Sequence, residues 1–122
     1  MSIVATERAL VDLCASLLEL EKDETIFRGK LPASRMNAVA VIIDSPGQGN
    51  EPVMQRYAVQ LLGRFESRDD ALEMCDKFDL KFPHVGDGFY ILKTGRPTVY
   101  DTTVKGREAF GVTVNLDVRL TQ

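Results

Sequence analysis

The chain has 122 residues, of which 44% are hydrophobic and 27% charged, and its formal net charge is −3. This length is typical of a single domain that buries an ordinary core without metal or disulfide staples, and the composition disfavours the disordered and membrane classes. The charge disfavours tight nucleic-acid binding as the main function, because phosphate contacts require an excess of basic side chains.

The cysteines and the N-terminus indicate a cytosolic protein. The only two cysteines, Cys14 and Cys75, fall within helical apolar patterns and have no CxxC spacing, which favours a reducing compartment over a disulfide framework or a zinc site. Residues 1–4 lack the basic start and apolar run of a signal peptide. No stretch approaches the roughly 20 apolar residues of a membrane span. We therefore expect no membrane contact.

The first predicted element is an amphipathic helix over about residues 4–21, in which leucines recur at helical spacing. Ser2 and Thr6 are both candidate N-caps. A short extended piece follows at about residues 25–28. Residues 38–44 read AVAVIID, a run too short for a helix and rich in β-branched side chains, which predicts a strand covered on both faces.

Residues 45–52 contain two glycines and two prolines and predict a loop, after which residues 53–65 resume as a strand. Ser67 and Asp70 form a capping-box pattern that predicts the start of the second helix, and Pro83 ends it. The predicted apolar stripe of this helix is Ala71, Leu72, Cys75 and Phe78, with Leu80 and Phe82 as the alternative last members.

The C-terminal third predicts three strands separated by turns. Residues 86–88 are a turn before a strand at 89–93, and residues 94–97 are a second turn before a weak strand at 98–101. From residue 109 to residue 120, every second side chain is apolar and its neighbours are small or polar. This period of two predicts a strand with one buried face and one wet face.

The predicted fold class is α+β, with a mainly antiparallel sheet of four to five strands and two helices packed on one side. The predicted order is α-β-β-α-β-β. The sequence leaves open whether a short extra strand precedes the second strand. We find no internal repeat and no linker, so residues 1–122 are predicted to form a single domain.

The sequence contains no convincing catalytic constellation. The single histidine, His84, has no nucleophile near it in the sequence, and burial on helix faces blunts the reactivity of both cysteine thiols. Asp69 and Asp70 open a helix, where negative charge offsets the helix dipole. Asp76 and Asp79 lack the converging carboxylates of a metal site. We expect no enzymatic activity, no metal and no cofactor.

Two segments are candidate interaction sites. Gly47, Gln48, Gly49 and Asn50 lack the lysine and hydroxyl of a P-loop and precede no helix, so they predict a hairpin loop available for contacts. Lys105 and Arg107, with Lys93 and Arg96 nearby in the sequence, form a small basic cluster. The cluster is either a solvated turn or a contact for an acidic partner or a passing nucleic acid.

Taken together, these segments resemble the minor capsid and tail terminator proteins of long-tailed bacteriophages over about residues 5–120. The resemblance is carried by an N-terminal amphipathic helix and five segments, FRGKLP at 27–32, NAVAVI at 37–42, RYAVQL at 56–61, SRDDA at 67–71 and KGREAF at 105–110, and by the final strand VTVNLDV at 112–118.

The resemblance implies a virion protein located at the head–tail junction, assembled in the host cytoplasm. Such proteins form a ring of identical subunits, commonly six, that caps the tail tube, joins it to the head and lets DNA pass. The implied partners are other copies of the chain, a tail tube protein and a head-completion or connector protein. A head-completion protein and a non-viral protein-binding adaptor are the alternatives.

Overall fold

The structure is a computed structural model that describes residues 2–46 and 55–121. Its elements in chain order are α1 (Ile3–Leu18), β1 (Ile26–Arg28), β2 (Ala38–Pro46), β3 (Arg56–Phe65), α2 (Arg68–Lys81), β4 (His84–Gly86), β5 (Phe89–Lys93), β6 (Thr98–Val104) and β7 (Arg107–Leu120).

All the strands in the described residues belong to one seven-stranded sheet with the order β1-β2-β3-β7-β5-β4, and β6 also pairs with β7. The β1–β2 pair is parallel and the other pairs are antiparallel. Strands β5 and β6 lie end to end along β7, opposite residues 116–120 and 107–113. The fold is therefore α+β with a mostly antiparallel sheet, as predicted.

The predicted strand number and order were wrong. The described chain has seven strands rather than four to five, in the order α-β-β-β-α-β-β-β-β. The three-residue strands β1 and β4 are too short for a hydrophobic period, so only their pairing to β2 and β5 defines them. The weak strand predicted at residues 98–101 is present as β6, which extends to Val104, three residues beyond its predicted end.

One face of the sheet carries the core, and both helices pack against it. In β3, buried side chains alternate with more exposed ones. Val59 and Leu61 are 2% and 0% exposed, whereas Ala58, on the opposite face of the strand, is exposed. The same hydrophobic cluster includes Leu18 of α1 and Phe78 of α2. The predicted alternation of the last strand is confirmed for residues 112–120, which bury every second side chain. At its predicted start, Ala109 and Gly111 are buried and Phe110 is half-buried, so the alternation does not hold there.

Strand β2 is buried on both faces near its start, as predicted. Val39 and Val41 belong to the core, and Ala38 and Ala40 on the opposite face are only 1% and 0% exposed. Residues 29–37 lie beside this opposite face, where the Arg64 guanidinium donates hydrogen bonds to the Pro32 and Arg35 carbonyl oxygens at 2.9 Å each.

Helix α1 begins as predicted and ends earlier. The Ser2 hydroxyl accepts a hydrogen bond from the Ala5 amide at 3.1 Å, so Ser2 is the N-cap, whereas Thr6 is buried inside the helix. The helix stops at Leu18 rather than at residue 21, because Glu19 adopts a left-handed conformation with φ 58°. No helix in the described residues has the length and hydropathy needed to cross a membrane.

The predicted N-cap of α2 is confirmed. The Ser67 hydroxyl accepts a hydrogen bond from the Asp70 amide at 3.1 Å, and the helix ends at Lys81 before extended Phe82 and Pro83. The buried stripe differs in part from the prediction. Ala71, Met74 and Phe78 are buried, while Leu72 and Cys75 are half-buried.

We expect Ser67→Ala to lower the free energy of unfolding by about 1 kcal/mol, because the substitution leaves the Asp70 amide without its capping acceptor. Urea denaturation measures this loss. The matched control is Ser16→Ala, which changes an exposed serine inside α1 and should cost nothing. Equal losses in the two variants would contradict the capping role of Ser67.

Candidate functional site

The groups with catalytic potential do not converge in the described residues. His84 lies in β4, and its Nε2 atom is 3.3 Å from Asp87 Oδ2 in the adjoining turn. Burial raises the pKa of the Cys14 thiol to about 12. Burial, with the nearby charges of Asp76 and Asp79, also raises the pKa of Cys75. Both thiols are therefore protonated at neutral pH, which makes them weak nucleophiles.

Three of the four acidic residues in these pairs have roles within the fold. Asp69 and Asp70 lie in the first turn of α2, where their negative charge interacts favourably with the positive end of the helix dipole. Asp79 lies 2.6 Å from the Lys93 ammonium, and the hydrogen bond and charge of Lys93 hold its pKa below the ordinary value. Within residues 2–46 and 55–121, no cluster of three or more histidine, cysteine or acidic residues is arranged to hold a metal ion.

A groove of about 350 Å³ lies between α1 and the segment around β1. Its charged lining contains both signs, and the Lys22 ammonium lies 2.7 Å from Asp12 Oδ1. Arg28 at its edge pairs with Glu7 at 3.3 Å. Because the charges compensate each other, the groove has no net preference for an anion or a cation.

The structure describes only one of the two candidate interaction segments. Gly47, Gln48, Gly49 and Asn50 lie outside the described residues. Lys105 and Gly106 form the two-residue turn between β6 and β7, with φ of 50° and 77°, the left-handed values of a tight hairpin.

The basic residues grouped in the sequence do not form one cluster in space. Lys93 and Arg96 lie before β6 and Lys105 lies after it, so about 23 Å of extended strand separates them. Lys93 lies 2.6 Å from Asp79, which also experiences the charge of Arg96, and Arg107 lies 3.9 Å from Glu66. The basic residues therefore divide into a pair near Asp79 and a pair at the turn between β6 and β7.

The side of the sheet opposite the helices is accessible at its middle, and we name it the open sheet face. Ala58 on β3 and Asn115 on β7 are exposed although both strands have neighbours on each side, so solvent reaches the middle of this face. The open sheet face consists of the even-numbered residues 56–64 of β3 and the odd-numbered residues 109–119 of β7, of which Ala109 and Gly111 are buried. It is flanked by Ile42, Tyr90, Leu92, Thr98 and Tyr100.

The charges on the open sheet face are mainly positive. The face carries three arginines, Arg56, Arg64 and Arg119, and one acidic residue, Asp117. The chain as a whole has a formal net charge of −3. The Asp117 Oδ2 atom is 2.9 Å from Arg56 Nη2 and 3.2 Å from Arg119 Nη2. One carboxylate shared by two guanidinium groups leaves a net positive charge, and the Arg64 partners are uncharged carbonyls.

Tyr100 covers the part of the face where β7 has no side chain. Its ring lies over Gly111, its partner in the register of β6 and β7. Burial raises the pKa of Tyr100, while the charge of Arg64 acts in the opposite direction. Tyr100 is nevertheless 41% exposed, so its ring presents both a packed side and an accessible side.

The Asp117 ion pairs should contribute a pH-dependent part of the stability. Burial raises the pKa of Asp117, but the hydrogen bonds and charges of Arg56 and Arg119 outweigh it and lower the pKa below the ordinary value. A carboxyl group with a lowered folded-state pKa stabilises the fold above its unfolded pKa, roughly 4, and this contribution is lost as the pH falls through the folded value.

We therefore expect Asp117→Asn to cost about 0.5–1 kcal/mol at neutral pH, the usual range for a partly exposed ion pair. The difference from the unsubstituted protein should shrink below about pH 4 as Asp117 is protonated. Urea midpoints at neutral and acidic pH measure it. Asp101→Asn, which changes an exposed carboxylate on β6 with no ion pair among the described residues, is the control. A pH-independent loss in Asp117→Asn would contradict the ion-pair explanation.

No protein-family model matches the chain, and no curated protein matches it. The sequence did not identify the open sheet face as a site. Arg56 and Arg64 lie an even number of residues apart, so they could have been assigned to one face of a strand. Arg119 joins them only through the pairing of β3 with β7, which local patterns do not encode.

Proposed function

We propose that the chain is a structural subunit of a phage virion, which forms a ring that caps the tail tube and joins it to the head. Two independent observations support this function. The first is the resemblance of the sequence segments to tail terminator proteins. The second is the composition of the open sheet face, and this observation carries the proposal.

The open sheet face has the composition of a protein interface. Across β3 and β7 it contains arginines and no lysine or glutamate, and Tyr90 and Tyr100 beside them are 37% and 41% exposed. Arginine and tyrosine are enriched in protein–protein interfaces, whereas lysine and glutamate are depleted. An antiparallel sheet can expose one face to solvent. Solvent exposure alone does not explain why this face carries arginine and tyrosine rather than lysine and glutamate.

In the proposed function the chain acts through contacts and carries out no reaction. Its partners are other copies of itself, a tail tube protein and a head-completion or connector protein, and the genomic DNA passes through the ring. A ring related by one rotation requires two different surfaces on each subunit, and each surface meets its counterpart on the next subunit.

Sedimentation velocity of the purified chain, alone and mixed with the tail tube protein encoded near it, tests the proposal. We expect oligomers of identical subunits whose population rises with concentration or on addition of the tube protein. A strict monomer in both conditions would contradict the proposal. A ring that binds the head connector and ignores the tube would indicate a head-completion protein. A monomer or dimer encoded far from tail genes would indicate an adaptor.

A further inference from the structure

The exposed side of α2 carries an acidic stripe. Asp69, Glu73 and Asp76 are exposed and lie at positions i, i+4 and i+7, so they align along one side of the helix. Within residues 2–46 and 55–121, none of the three carboxylates forms an ion pair. Leu80 extends the stripe by one turn and is 81% exposed. We name these four residues the α2 stripe.

The open sheet face has the complementary chemistry. It presents Arg56 and Arg119 on either side of Asp117, and Arg64 at the other end of β3. Leu62 and Tyr90 add apolar surface to this positive charge. The α2 stripe combines negative charge with an exposed leucine. Guanidinium–carboxylate pairs are the strongest common ion pairs, since two parallel hydrogen bonds reinforce the charge attraction.

The two surfaces lie on opposite sides of the molecule. Helix α2 packs on the core face of the sheet, against β3, β6 and β7, and the α2 stripe is on the outer side of that helix. The open sheet face is the other side of the same sheet. One copy cannot bring its own two surfaces together, but neighbouring copies can.

We infer that the open sheet face of one copy binds the α2 stripe of the next copy. This inference rests on the proposed function, because it names the two surfaces by which the ring would close. The contact is heterologous, so the same rotation repeats from subunit to subunit until the ring closes.

The dimensions are compatible with this contact. The stripe from Asp69 to Leu80 is about 17 Å long at about 1.5 Å per helical residue. Ten residues of extended strand span about 33 Å, so the open sheet face is longer than the stripe. Residues 29–37 lie over its edge at the start of β2, where Ala38 and Ala40 are buried, which leaves β3 and residues 113–119 of β7 as the accessible part.

Charge complementarity favours a second copy over nucleic acid as the occupant. The formal net charge of the chain is −3, which disfavours a phosphate backbone as the occupant. The acidic α2 stripe would attract the arginines of another copy. DNA binding is therefore the competing occupant, and the experiment below separates the two.

Two charge-reversed variants test the contact. The sheet variant combines Arg56→Glu with Ala58→Glu, both at exposed positions, and the stripe variant combines Glu73→Arg with Asp76→Arg. Each variant alone brings like charges together, so we expect its self-association to weaken at least about tenfold. An equimolar mixture should assemble again, because each reversed surface then meets an opposite charge on the other variant. Unchanged circular dichroism and urea midpoints identify the correctly folded samples.

Because Arg56→Glu also places a carboxylate beside Asp117, Ala58→Glu alone provides a second sheet variant that leaves this ion pair intact. Arg96→Glu and Glu24→Arg change exposed charges outside both surfaces and should assemble like the unsubstituted chain. Higher salt should weaken the self-association of the unsubstituted chain, since screening shortens the range of charge attraction.

The outcomes separate this inference from the proposed function. If the unsubstituted chain assembles and the sheet and stripe variants assemble equally well, the inference is overturned and the proposed ring stands. If the unsubstituted chain stays monomeric from micromolar to millimolar concentration, alone and with the tube protein, both fail. If the sheet variant instead loses binding to a DNA duplex while its self-association is unchanged, nucleic acid is the occupant and the inference is overturned.

Discussion

Replacing Phe78 with alanine is expected to lower the free energy of unfolding by about 3–5 kcal/mol. Phe78 lies on the buried side of α2 and is 0% exposed, within the cluster that joins both helices to the sheet. Its truncation removes buried apolar surface and leaves a cavity that close-packed neighbours fill only in part. This loss is a large fraction of the roughly 5–15 kcal/mol that stabilises a typical domain.

Urea denaturation followed by circular dichroism measures this loss. The matched control is Leu80→Ala, two residues away on the same helix, where the side chain is 81% exposed. We expect the control to change the stability of the isolated chain by no more than about 0.5 kcal/mol. Similar losses in the two variants would contradict the assignment of the buried and exposed sides of α2.

Gly63→Ala is expected to cost about 1–3 kcal/mol, because it overpacks the core face of β3. A methyl group at residue 63 would lie 2.7 Å from Val112 Cγ1 and 2.8 Å from Phe65 Cε2, closer than carbon atoms approach without a shift. Gly63 pairs directly with Val112, and both lie in the interior of the sheet.

A double-mutant cycle tests this cause. Val112→Ala removes the methyl group that the new side chain would meet, so Gly63→Ala should cost less in the Val112→Ala background than in the unsubstituted chain. The control is Gly95→Ala, where an added methyl group meets nothing within 4 Å. That substitution should stabilise the fold by about 0.4–1 kcal/mol, since it restricts the unfolded chain. Strict additivity in the cycle would contradict direct crowding.

The local features of the sequence predicted the elements that depend on local chemistry. The alternation before Leu120 predicted the long strand β7, and the Ser67 hydroxyl predicted the start of α2. The continuous apolar run after Asn37 predicted that β2 is covered on both faces. In each case the signal lies within a few neighbouring residues, where period or capping geometry acts directly.

Features without a local signal in the sequence could not be predicted. Strand β4 has only three residues, and its partner β5 defines it. The early end of α1 depends on Glu19 in a left-handed conformation, where no glycine marks the stop. The open sheet face requires the register that places Arg56 opposite Arg119, residues more than sixty positions apart in the chain.

The candidate site also depended on contacts between distant residues, which the sequence did not predict. The basic residues around Lys105 were grouped because they are near in the sequence, but β6 separates Lys93 from that turn. The arginines on the open sheet face come from two strands, and register alone brings them together. Proximity in sequence is therefore a weak guide to charge clusters in a sheet whose neighbouring strands come from different parts of the chain.

Electron microscopy of the purified chain is the most direct measurement of the proposed structural role. We expect closed rings of identical subunits, formed alone or on the end of tail tubes, and their loss in the variant that combines Arg56→Glu with Ala58→Glu. Dispersed single subunits in both conditions, with bare tube ends, would contradict this role.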